Sequence, residues 1–306
     1  AAFIKTHDAM TDRDGRFSFE DITYDENSEY FASVEFRGVI YDSGVDFSEG
    51  SPDHVTLTVY ETTTSNSVFS GTNRSVLFAG ADPESEVIEV LEIVGIKNNS
   101  DKTYIPGGDP MDLLRFGLPL EYENLSVSAE SLPNAQVLQV NLGFALSGNV
   151  VPGEHEILYS YLFPYSGSNA SYQQSLMYGA ERVRILAPMG SIDIWSEDLV
   201  EGGTVNIGDD VYRLLHTNNA ERGMELEVEL MGLPTYTFVE RIQRNSRGVP
   251  LEYSGTFGLG LLMILLIAFA LRRSAVQKRR ARNLSDIISG KTIATQQQID
   301  ASKGQD

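Results

Sequence analysis

Period-two alternation of apolar and polar residues recurs through residues 1–253 and limits the fold more than any other feature. Tyr30, Ala32, Val34 and Phe36 alternate with Ser33, Glu35 and Arg37, and Val55, Leu57 and Val59 with Thr56, Thr58 and Tyr60. Leu138, Val140, Leu142, Phe144 and Leu146 repeat the pattern, as do Ile157, Tyr159, Tyr161 and Phe163, and Met224, Leu226, Val228 and Leu230. Such strands meet a core on one face and water on the other, as antiparallel sandwiches require. Long helical patterns are missing before residue 254, which excludes an α/β plan. The expected class is all-β: tandem antiparallel β-sandwiches followed by one transmembrane α-helix.

Residues 254–271, SGTFGLGLLMILLIAFAL, carry no charge over 18 positions, at the short end of what a bilayer span needs. Arg272, Arg273, Lys278, Arg279, Arg280 and Arg282 follow. A buried core helix would not be apolar all round and end in such a cluster. The positive-inside rule then puts residues 272–306 in the cytoplasm and residues 1–253 outside a cell membrane crossed once. The lipid bilayer is the first expected partner.

Charge is split the same way. Residues 1–253 have a net charge of −25 and residues 254–306 of +5. So acidic a surface argues against nucleic-acid binding, which needs a basic footprint. The chain has no cysteine, which excludes disulfides, zinc–cysteine sites and thiol nucleophiles.

Within residues 1–62, Thr11, Asp12, Asp14, Gly15 and Phe17 form a Thr-Asp-x-Asp-Gly-x-Phe turn, read as a hairpin leading into Phe17-Ser18-Phe19, with a Tyr-rich strand after it. This resembles the carboxypeptidase regulatory-like domain, a transthyretin-like β-sandwich, and the resemblance implies no peptidase activity. Members usually begin with further strands carrying Gly-x-Val, so residues 1–62 are expected to be incomplete at the N-terminus, with Phe17, Phe19, Val34 and Phe36 pointing inward. Residues 66–195 are expected to be a second, Ig-like sandwich. Residues 196–253 are either an extension of it or a stalk. The layout is similar to that of bacterial surface or periplasmic proteins joining such domains to one C-terminal helix.

Candidate chemistry is sparse. Asp12 and Asp14 offer a D-x-D-G fragment of a calcium loop, but the further carboxylates are missing and a hairpin turn explains the residues. His7, His54, His155 and His216 fit no zinc pattern. No G-x-S-x-G elbow or phosphate loop occurs. Tyr165, Tyr172 and Tyr178 are candidates for a sugar or partner platform, whereas Tyr159, Tyr161 and Phe163 share one strand face and are read as core. Asn73, Asn98, Asn124 and Asn169 head N-x-S sequons. No catalytic residue and no cofactor is expected. The expected function is that of a non-enzymatic, membrane-anchored extracytoplasmic binding or structural module of the cell envelope, with an envelope protein, a polysaccharide or a membrane-complex subunit as partner. The alternative is an accessory subunit of a membrane transport or cofactor-maturation complex, such as cytochrome assembly.

Overall fold

Alternation of apolar and polar residues becomes alternation of buried and exposed ones along most of the strands. The computed structural model describes residues 7–20, 22, 25, 28–47, 54–132 and 135–236. The expected span at 254–271 and the basic residues Arg272 to Arg282 lie outside them; among the described residues no helix is long and apolar enough to cross a membrane. Helix there is limited to two single 3-10 turns, Asn66–Val68 and Pro110–Asp112.

In chain order the strands are β1 (Tyr30–Phe36), β2 (Val39–Val45), β3 (Thr62–Thr63), β4 (Phe69–Asp82), β5 (Val87–Asn98), β6 (Thr103–Tyr104), β7 (Leu114–Gly117), β8 (Glu123–Ser128) and β9 (Val137–Val140). They continue with β10 (Gly143–Leu146), β11 (Gly153–Pro164), β12 (Asn169–Leu176), β13 (Ala180–Pro188), β14 (Asp193–Trp195), β15 (Val200–Ile207), β16 (Asp210–Ala220) and β17 (Met224–Met231). The chain forms two units, residues 1–204 with 213–234, and residues 205–212 with 235–306. The described part of the second is the tip of the β15–β16 hairpin and residues 235–236.

Seven strands make one sheet in the order β15-β16-β13-β4-β5-β11-β8. Its central pairs are antiparallel except β13 on β4, which is parallel. Two three-stranded sheets, β7-β10-β9 and β12-β17-β14, cover the inner face of this sheet. Tyr172 of β12 meets Phe78 of β4 and Phe163 of β11 edge-on, at 5.2 and 5.6 Å between ring centres. Phe144 of β10 meets Tyr159 of β11 at 4.9 Å and stacks on Phe116 of β7 at 5.0 Å. The result is a two-layer β-sandwich around one hydrophobic core.

That core includes Leu215, Leu226, Val228, Leu230 and Leu233. These residues pack in the same core as β4, β5 and β11, and β17 is the middle strand of its sheet. The continuous alternation at 138–146 is not one strand. It folds back at Asn141-Leu142, pairing Val140 with Gly143. Gly143 makes this possible. Its φ is +143°, and a Cβ there would stand 2.0 Å from the Phe116 carbonyl oxygen.

Before Thr62 the described residues hold a single ribbon, β1 against β2. Phe36 pairs with Val39 across Arg37-Gly38, both at positive φ, the two-residue turn that matches strand twist. Ala32 is buried and Val34 and Phe36 are half-buried on one face, as alternation predicts. Phe17 and Phe19 depart from expectation. Neither lies in a strand, Phe19 is 37% exposed, and the two rings meet each other at 5.7 Å. Residues 54–61 also form no strand, although Val55 and Leu57 remain half-buried.

Candidate functional site

The densest polar cluster is inside the sandwich. Glu92 lies on the inward face of β5, in phase with Ile88, Val90, Val94 and Ile96. Arg74 lies on the inward face of β4 in phase with Val76 and Phe78, and Gln174 on β12 in phase with Tyr172 and Leu176. Register brings them together: Glu92 is opposite Tyr159 on one side and Val76 on the other. Arg74 Nη2 reaches a Glu92 oxygen at 2.5 Å. Tyr159 donates to that same oxygen at 3.0 Å. Tyr161, Tyr172 and the Gln174 amide surround the other oxygen at 2.6, 3.0 and 3.0 Å. The single Tyr172 proton also has the Gln174 carbonyl in reach at 2.7 Å, so it chooses between two acceptors.

Burial works against the Arg74 charge, but the Glu92 carboxylate beside it outweighs burial and holds the guanidinium more firmly protonated than usual. Burial, reinforced by Glu92, pushes Tyr161 and Tyr172 well above the usual phenol range, and burial likewise dominates at Tyr159. The three hydroxyls therefore stay protonated donors. Every member of the cluster is buried. A cavity of about 20 Å³ beside it, lined by Asn73, Arg74, Arg115 and Tyr178, has room for one water and none for an organic substrate. This arrangement can lock the two layers in register. Gln174 adds to that by donating to the Gly117 carbonyl at 3.0 Å, tying β12 to β7.

The sequence-derived candidates fall elsewhere. The Asp12 carboxylate accepts from the Asp14 and Arg16 amides at 2.8 and 2.9 Å, and Gly15 at φ +77° closes the turn. One oxygen of Asp12 is thus used by the chain itself, as a turn residue's is. Among the described residues no group of three or more His, Cys, Asp or Glu side chains could hold a metal ion. Tyr165, Tyr172 and Tyr178 do not form an exposed platform. Tyr172 belongs to the Glu92 cluster, Tyr165 is buried and donates to the Pro234 carbonyl at 2.7 Å, and Tyr178 accepts from the Arg115 amide at 3.0 Å. Burial raises the Tyr178 hydroxyl above its usual range. Both His155 ring nitrogens face backbone carbonyls, of Ser131 and Val151. Asn98 is buried and donates to the Lys102 and Val150 carbonyls, so its sequon is closed to modification, whereas Asn124 and Asn169 are exposed.

What faces solvent is different in kind. Trp195, the single tryptophan, is 51% exposed opposite Glu229. The β9–β10 hairpin exposes Val137, Leu138, Val140 and Leu142, and Leu120 is exposed two residues beyond Leu118, whose amide bonds the Leu142 carbonyl. Alternation alone placed Leu138, Val140 and Leu142 in a core, so this surface was missed. The signal for it was the turn-forming Asn141-Leu142-Gly143.

No family model and no curated protein matches the chain. Among solved structures, a putative nutrient-binding protein from Legionella pneumophila is similar at 10% identity, covering 56% of this chain and 70% of its own, with a TM-score of 0.33. A two-domain M1 zinc metallopeptidase bound to L-tryptophan is similar at 7% identity, covering 58% of this chain and 44% of its own, with a TM-score of 0.32.

Proposed function

We propose that this chain is a non-enzymatic binding or structural module of the cell envelope. Residues 254–271 cross the membrane, residues 1–253 lie outside and residues 272–306 lie in the cytoplasm. In this reading residues 1–62 are a regulatory-like, transthyretin-like domain, and the sandwich that follows is Ig-like.

The observation that carries the binding role is the exposed apolar hairpin around β9. Apolar residues displayed together on a surface are a contact for another macromolecule far more readily than a catalytic device. The Arg74–Glu92 cluster supports the same reading, because both Glu92 oxygens are taken up by Arg74, the three tyrosines and Gln174. The anchor rests on the uncharged run at 254–271 and the six basic residues after it.

The test uses the full chain in intact cells or spheroplasts. Added protease is expected to remove residues 1–253 and spare a tag placed after residue 306. Digestion of the tag with survival of the sandwich would reverse the orientation. Turnover of a peptide or glycan panel by the purified full chain, abolished by one Asp or Glu substitution, would overturn the non-enzymatic reading.

A further inference from the structure

From Ser131 to Gly153 the chain runs 23 residues without a charge, in a protein whose net charge is −20. This stretch contains β9 and β10. In the order β7-β10-β9, β9 is the outer strand. Val137, Leu138 and Val140 are 43, 43 and 42% exposed, so both faces of β9 show apolar side chains to solvent.

The ladder fixes where the backbone of β9 points. In an antiparallel pair, residues that exchange hydrogen bonds with the neighbour alternate with residues that do not. Ser147 donates to the Gln136 carbonyl at 3.1 Å, which makes Gln136 a bonded position. Counting by two, Leu138 opposite Ala145 and Val140 opposite Gly143 are bonded positions as well. Val137 and Gln139 therefore direct their N–H and C=O groups away from β10, toward the side on which no strand of the described residues pairs.

We propose that β9 pairs antiparallel with β9 of a second copy of this chain, about a two-fold axis at Leu138. In this register Val137 faces Gln139 of the partner subunit, and Gln139 faces Val137 of the partner subunit. Each pair exchanges two hydrogen bonds. Leu138 then meets Leu138 of the partner subunit at the non-bonded position, where Cα atoms stand about 4.5 Å apart and side chains are closest.

Charge selects a second copy as the occupant. A two-fold contact sets a surface against itself, so any charge near its centre meets its own like. With 43 acidic and 23 basic residues, most approaches between two copies bring carboxylates together. The uncharged edge avoids this. A cationic partner, by contrast, would be drawn to the acidic faces and not to β9. The strand is short, so the dimer is weak and concentration-dependent, below the roughly 800 Å² per partner of a standard stable interface. The proposal rests on β9 alone and stands or falls independently of the membrane segment.

The test exploits the absence of cysteine. In the full chain Leu138→Cys supplies the sole thiol, and the Cα separation falls within the range of about 4.4–6.8 Å that a disulfide spans. Mild oxidation is expected to yield a disulfide-linked dimer at least tenfold faster than Ser85→Cys, placed in the exposed turn between β4 and β5. Sedimentation of the unmodified chain is expected to show dimer increasing with concentration, and more of it at about 1 M than at about 0.1 M salt, because screening relieves repulsion between like-charged partners. Gln139→Pro removes an outward N–H without touching a bond to β10, so it is expected to abolish the dimer and leave the melting temperature of the monomer nearly unchanged. A chain monomeric throughout, equal crosslinking at positions 138 and 85, a dimer that weakens with salt, or a dimer indifferent to Gln139→Pro would each overturn the proposal. The Gln139→Pro and sedimentation arms hold even if Leu138→Cys fails to fold.

Discussion

Arg74 and Glu92 form a 2.5 Å ion pair at a place where their side chains are 6% and 0% exposed. Desolvating two charges costs several kcal/mol each, and their mutual attraction offsets this only with good geometry and further hydrogen bonds. Here three tyrosine hydroxyls and one amide supply those bonds to Glu92, while the buried Arg74 Nε has no hydrogen-bond partner. Tyr159 also lies under the guanidinium, 5.6 Å from its carbon. The pair is a device for register more than for stability, because β4, β5, β11 and β12 must all be in place before Glu92 is satisfied.

Breaking one side of the pair is therefore expected to be severe and the double change mild. Glu92→Gln leaves Arg74 buried without a counter-charge and should cost about 3–5 kcal/mol. Arg74→Met combined with Glu92→Gln removes both charges while keeping a carbonyl for the tyrosines. It should be more stable than either single variant. Urea unfolding of the three variants checks this; simple additivity would show that the pair is not coupled.

Gly143→Ala is expected to damage the smaller sheet β7-β10-β9. The strained backbone costs about 1–3 kcal/mol by itself, and the Cβ collides with the Phe116 carbonyl. Gly108→Ala is the control, since open space surrounds that position, and it should change stability by less than about 0.5 kcal/mol. Comparable melting temperatures for the two variants would contradict the close approach at Gly143.

Much of the sandwich was legible because strands announce themselves by period two. Tyr159, Tyr161 and Phe163 are core as their phase requires. The same rule carried a clue to the polar cluster: Glu92 sits in phase with Ile88, Val90, Val94 and Ile96, which no solvent-facing glutamate would do. What alternation does not record is where a strand reverses. Leu138, Val140 and Leu142 share the parity of Phe144 and Leu146, yet the turn at Asn141-Leu142 separates an exposed strand from a buried one. Nothing near Tyr172 in the chain marks it as core and not as part of a platform, because its partners on β4, β5 and β11 are distant in sequence. The Asp12 turn was legible because its bonds span only a few residues.

That turn leads to a prediction about cations. Asp12→Ala removes the acceptor for two amides, so the Asp14 and Arg16 amides should exchange with solvent faster, by an amount matching about 0.5–1.5 kcal/mol per lost bond. Calcium and sodium at matched ionic strength should raise the melting temperature equally, because screening of a strongly acidic chain needs no specific site. A calcium-specific rise that Asp14→Asn removes would identify a site at this turn.

Glu89 supplies a pH dependence with a definite sign. It lies on the opposite face of β5 from Glu92, between Gly80 and Leu162, with one carboxylate oxygen buried and without a hydrogen-bond partner. Burial raises its carboxyl above the usual value. The folded chain thus binds this proton more tightly than the unfolded chain, and stability falls as pH rises between the unfolded and folded values. The cost is absent below the ordinary glutamate range of about 4.3 and complete above the raised folded value. Glu89→Gln removes the titration. Its melting temperature should exceed that of the unmodified chain at neutral pH, and the difference should shrink as pH falls through the window. The other carboxylates titrate in both proteins, so the comparison isolates Glu89. A difference that stays constant with pH, or widens toward acid, would mean that the Glu89 charge carries no penalty in the folded sheet.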